Sequence, residues 1–162
     1  MRDRIRRRGV GVYEVRLRRN EQAIMGALVH QLREQLMQST DEPHLRRLFP
    51  PAYANDAERD AGYQVLTRDE LLEGRLAALD VVERTLDGAH ELDQAELTAW
   101  MTTLNSLRLV IGTRLDVDEE LPELDESDPL APEYAVYEVL GWLLAQVVDT
   151  LTSDLPPPTT LN

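Results

Sequence analysis

The chain has 162 residues, 43% of them hydrophobic and 29% charged, with a formal net charge of −13. That is the length of one domain with enough apolar content to bury a core, and the acidic excess argues against wholesale nucleic-acid binding. With no cysteine among these residues, structural disulfides, cysteine-ligated zinc and thiol catalysis are excluded within them.

Every basic residue is arginine, as expected of a GC-rich genome. Residues 1–19 carry eight arginines against Asp3 and Glu14, a net of +6, whereas twelve acids and no base follow Arg114. The expected outcome is that the two blocks answer each other within the molecule or across a dimer. Residues 1–8 are mostly charged with no apolar run behind them, so no secretory signal is expected. The longest apolar stretch, 139–148, is too short for a membrane span and is broken by Gln146. A cytoplasmic protein is the expectation.

Residues 4–18 alternate like strands, with Gly9 and Gly11 available for a turn, and predict a small hairpin. Asn20 is a candidate N-cap for a helix over 21–38, whose stripe is Ile24, Leu28, Leu32 and Leu36. Residues 39–53 are irregular, with Pro43, Pro50 and Pro51. A short helix follows at about 56–66. Thr67 and Glu70 form a capping-box pattern that predicts a separate helix over 68–87, ended by Gly88. Asp93 and Glu96 open a helix over 94–115 in the same way. Residues 116–131 form an acidic loop, and Pro132 suits the first turn of a helix over 132–152. The predicted fold is mainly α: four main helices, one short helix and an N-terminal hairpin, one domain over 1–153. The proline-rich tail 154–162 is expected to be disordered.

Charged residues fall on apolar faces. Arg108 lies in the stripe of Leu97, Leu104, Ile111 and Leu115, with Asn105 beside it. Glu83 lies in the stripe of Leu72, Leu76, Leu79 and Leu86, with Arg75 at its edge, and Glu21 flanks Ile24 and Leu28. An arginine turned into a core needs a partner, so a buried polar cluster of Glu21, Arg75, Glu83, Asn105 and Arg108 is predicted. It would be a register-fixing ion-pair network or an anion pocket. Val136, Leu140, Leu143, Leu144, Val147 and Leu151 form the expected core face of the last helix. Trp142 lies opposite them, as a candidate interface residue or one covered by the hairpin or the acidic loop.

No catalytic or metal pattern emerges, and no cofactor is expected. His30, His44 and His90 are scattered. Pro43 breaks the helix that an Asp41–His44 metal pair would need. Asp116, Asp118 and Glu120 begin like a calcium loop, but Leu121 and Pro122 stand where its glycine turn belongs.

Residues 47–53, RLFPPAY, the stretch 71–75, and residues 100–115, with the run LNSLRLVIGTRL, closely resemble an actinobacterial domain of unknown function, DUF2017. The resemblance extends to Glu21 and to residues 137–142. Its motifs land on Arg47, Phe49, Tyr53, Trp100, Asn105, Arg108 and Arg114. Genes of this family tend to lie beside the Clp-protease adaptor gene, which implies an intracellular regulatory or adaptor role. A redox-sensing role suggested within the family depends on paired cysteines and does not carry over. The reading that results is a non-enzymatic regulatory or protein-interaction module, with an unidentified protein partner or a second copy as its occupant. The alternatives are a DNA-associated regulator using the arginines of residues 1–19, and a binder of small anions at Arg108.

Overall fold

The computed structural model describes residues 2–38, 43–49, 57–116 and 125–155, with the backbone alone at 44, 57–61 and 63–66. Tyr53, the Pro50–Pro51 pair, Asp41, residues 117–124 and the tail from 156 lie outside them.

The fold is mainly α. A hairpin of β1 (Ile5–Gly9) and β2 (Val12–Val15) precedes helices α1 (Arg19–Gln38), α2 (Ala57–Thr85), α3 (Gln94–Arg114) and α4 (Ala131–Thr152). Helix α3 is the axis. Its buried residues, from Leu97 and Trp100 to Ile111 and Thr113, occupy most of its circumference. A helix apolar on nearly all sides must be enclosed, and α2, α4, α1 and the hairpin pack around this one. It begins where the sequence says. The Asp93 carboxylate accepts from the Glu96 N–H at 2.8 Å, and Glu96 accepts in turn from the Asp93 N–H at 3.1 Å. The Trp100 indole N–H donates to Thr85 Oγ1 at 2.8 Å inside the core, pinning α3 to the end of α2.

The hairpin is antiparallel, pairing Ile5 with Val15 and Arg7 with Tyr13, with an irregularity between Arg7 and Gly9. Its second edge is covered. Tyr13 and Leu92 exchange backbone hydrogen bonds of 2.9 and 2.8 Å, so β2 is not left open along that side. Gly88 makes this closure possible. It has φ of +70°, and a Cβ there would stand 2.8 Å from the Val15 carbonyl oxygen.

Three boundaries differ from expectation. The predicted helices 56–66 and 68–87 are one continuous helix, α2. Thr67 and Glu70 sit inside it, where the preceding turn supplies the carbonyls that a cap would otherwise replace. Helix α1 starts at Arg19, so Asn20 is not its cap; Glu21 accepts from the Arg18 N–H at 2.9 Å instead. Asp154, assigned to the tail, contacts the hairpin: its carboxylate accepts from the Tyr13 hydroxyl and from the Gly11 N–H at 3.2 Å, and pairs with Arg7.

Candidate functional site: a groove between α1 and α4

The buried stripe of α1 is Met25, Val29, Leu32 and Leu36. The expected stripe shares its last two members but not its first two. Ile24 is 51% exposed, and Leu28 is only partly buried against the core. Helix α1 therefore carries more apolar surface than α2 and α3 cover. The same is true of α4. Tyr137, Leu140, Leu143 and Val147 are buried, Val136, Leu144 and Leu151 are partly buried, and Val139 is 48% exposed.

Of these, Ile24, Leu28, Val136 and Val139 face a common trough. Among the described residues α1 and α4 do not pack on each other, although both pack on α3. Between them lies a cavity of about 480 Å³, walled by Ile24, Met25, Leu28, Val139, Leu143 and Trp142 among others. A second cavity of about 350 Å³ continues it, sharing Leu28 and Val136 and floored by Leu107, Val110 and Ile111 of α3. Trp142 is half-buried and not opposite the core; it packs at the core's edge and forms part of the groove wall.

One end of the groove is fixed by a bidentate ion pair. Arg4 Nε donates to Glu21 Oε2 at 2.9 Å, and Arg4 Nη2 donates to Glu21 Oε1 at 2.9 Å. The hydrogen bond from Arg4, more than any other influence, holds the Glu21 carboxyl below its ordinary value, and the same bond raises Arg4. Gln146 of α4 accepts from the backbone N–H groups of Arg4 and Ile5, at 2.8 and 3.2 Å, which ties the hairpin to α4. At the other end Arg114 stands 3.8 Å from Glu133.

The predicted polar cluster does not assemble. Glu21 pairs with Arg4 at the groove. Glu83 is exposed and meets Arg33 of α1 at 2.7 Å. Arg75 reaches Ser106 Oγ at 2.7 Å and the Leu48 carbonyl at 3.1 Å, and burial lowers its basicity. Asn105 is exposed on the outer side of α3. Arg108 does lie at a helix contact, but it lies over an aromatic ring. Its guanidinium carbon is 4.9 Å from the Tyr137 ring centroid, and its Nε is buried without a hydrogen-bond partner. Among the described residues no carboxylate lies within ion-pair distance of it. Glycines make room for this stacking: a Cβ at Gly141 would stand 3.4 Å from Arg108 Nε, and one at Gly112 would stand 3.0 Å from the Tyr137 ring.

The motif residues are mostly structural. Phe49 and Trp100 are buried, Arg47 reaches the Gly112 turn of α3, and Arg68 lies over the Phe49 ring. Within the N-terminal arginine block, Arg4 meets Glu21, Arg7 meets Asp154, and Arg8 and Arg16 meet Glu14. Four of the block's arginines are thus met by acids from β2, from α1 and from the residues just after α4.

The fold and the groove define a small helical module that presents an apolar trough between two of its outer helices. The chain belongs to the DUF2017 family, a domain of unknown function, whose model matches residues 1–151. Among curated proteins it is similar to the oxidative stress regulator AosR of Mycobacterium tuberculosis and of Mycobacterium bovis. Each is 31% identical over 128 residues, 68% of this chain and 59% of the relative. A Mycobacterium leprae relative is 30% identical over the same span. The chain therefore spans about three fifths of the length of the curated relatives it matches. No solved structure matches it significantly. No described helix is long and apolar enough to cross a membrane.

Proposed function

We propose that the protein is a non-enzymatic cytoplasmic regulator that acts by holding a protein partner in the α1–α4 groove. The observation that carries this reading is the groove itself: Ile24 and Val139 stand half in water on facing helices above an apolar floor. Apolar surface of this kind, rimmed by polar residues, marks a protein-interaction site or a binding groove. Its charged ends are satisfied internally by Arg4–Glu21 and Arg114–Glu133. That suits burial against another surface rather than activation of a reactant. The relatives' name supports a role in the response to oxidants. With no cysteine in these residues, such a signal reaches this chain through its partner or through chemistry other than its own thiols.

Complementation tests this reading. A strain lacking the gene is supplied with the parent chain, Ile24→Asp, Val139→Asp or the outer-face control Asn105→Asp, and its peroxide-response transcripts are measured. The groove variants should fold and fail to complement, while Asn105→Asp complements. Full complementation by both groove variants would refute the proposal.

A further inference from the structure

Resting on that reading, we infer that the groove's occupant is an amphipathic helix of three to four turns whose polar face is basic. Length comes first. The two cavities form one trough bounded by residues 21 to 35 of α1 and 132 to 143 of α4. At 1.5 Å per helical residue those walls are about 21 and 17 Å long. A helix of roughly 11 to 14 residues matches them.

Secondary structure follows from the walls. Both banks are helices, whose backbone donors and acceptors are satisfied along their own axes. An extended segment laid between them would bring its own N–H and C=O groups into an apolar trough with no sheet edge to pair with. A helix satisfies those groups internally and needs only an apolar stripe, at i, i+3, i+4 and i+7.

Charge selects the polar face. Helix α4 carries Glu133, Glu138 and Asp149 and no basic residue. Glu138 lines the trough and is in no ion pair among the described residues. On α1 the arginines are Arg19, at its head, and Arg33, which is held by Asp80 and Glu83 of α2. Arg4 and Arg114, the bases that line the trough, each face their own glutamate. An approaching lysine or arginine therefore meets an unpaired carboxylate on the α4 bank. The net charge of −13 acts in the same direction at long range. It repels a second copy of this chain and attracts a cationic segment.

Three fluorescein-labelled synthetic peptides of fourteen residues test the inference by anisotropy with the full chain. One has a Leu/Phe stripe and a Lys/Arg polar face, one has the same stripe with a Glu polar face, and the third is the basic peptide scrambled. The basic amphipathic peptide should bind saturably, at least ten-fold tighter than the other two. Val139→Asp and Ile24→Asp should each weaken it ten-fold or more, and Glu138→Lys several-fold. Circular dichroism and melting of each variant establish that it is folded. Equal binding of the scrambled peptide, or full binding to Val139→Asp, overturns the inference. If the acidic peptide binds as well as the basic one and Val139→Asp abolishes both, the charge assignment fails but the docking reading stands. A dimer in sedimentation that Val139→Asp dissolves would make a second copy the occupant and overturn the inference.

Discussion

Arg108→Met separates two accounts of the α3–α4 contact. An arginine in a buried ion pair is costly to remove: the orphaned partner charge makes the loss about 3–5 kcal/mol. For a chain of this length that is about 6–20 °C in Tm. Among the described residues Arg108 has no such partner. It lies 4.9 Å over the Tyr137 ring, with Nε unbonded. Methionine gives up a cation–π contact of about 0.5–2 kcal/mol. It also relieves a buried N–H of its lost hydration, about 1–3 kcal/mol, and keeps an unbranched side chain against Gly141. The two terms oppose, so the net change should lie between a loss of about 1 and a gain of about 2.5 kcal/mol, and Tm should fall by no more than about 4 °C. Urea unfolding followed by far-UV dichroism gives the free energy. A cycle with Tyr137→Leu should recover a coupling of about 0.5–2 kcal/mol. A loss above about 3 kcal/mol, with no coupling to Tyr137, would mean that an acid holds Arg108 and that the stacking account is wrong.

Two further outcomes follow from the hairpin. Gly88→Ala and Gly11→Ala both force a Cβ onto a positive φ, +70° and +67°, but only at Gly88 would it meet a neighbour, the Val15 oxygen at 2.8 Å. Gly11→Ala should cost about 1–2 kcal/mol and Gly88→Ala clearly more, about 2–4; equal losses in urea unfolding would refute the close approach. The second concerns acid. Glu21 is depressed chiefly by the Arg4 hydrogen bond, and Asp154 chiefly by the Tyr13 hydroxyl. A carboxylate whose folded pKa is lowered stabilises the fold fully above its unfolded value, about 4. That contribution disappears as pH falls through the folded value. Amide-exchange protection at Ile5 and Val15 should therefore drop below about pH 4, before protection in α3 does, and Glu21→Gln with Asp154→Asn should remove the difference. Protection that falls in step across hairpin and α3 would contradict this.

Much of the fold was readable from local signals, because those signals act locally. The Asp93–Glu96 box, Pro132 at the head of α4 and the alternation around Val12 and Val15 each fix a backbone within a few residues. The same logic misled at Thr67: a capping pattern has meaning only where the backbone donors lack partners, and within α2 they have them. The stripe of α1 was ambiguous because Ile24/Leu28 and Met25/Val29 are adjacent apolar columns, and only the placement of α2 and α3 decides which is buried. Arg108 was expected in the core beside an acid and lies instead over an aromatic ring of α4, because periodicity shows that a charge falls on an apolar face and not what meets it. An aromatic partner from α4 leaves no trace in the sequence of α3. The groove was the least legible feature, since it depends on α1 and α4 standing apart across α3. Its one advance signal was Trp142, whose offset from the core face of α4 hinted at a second apolar surface.

The most direct measurement of the central claim is site-specific photo-crosslinking in the native cell. A photoreactive residue is placed at Ile24 or Val139 in the groove, or at Asn105 on the outer side of α3, and adducts are identified by mass spectrometry. The groove positions should capture the same discrete protein through a helical, arginine- or lysine-bearing segment, and position 105 should not. A discrete adduct at 105 with none at 24 or 139 would place the working surface on the other side of α3 and contradict the account.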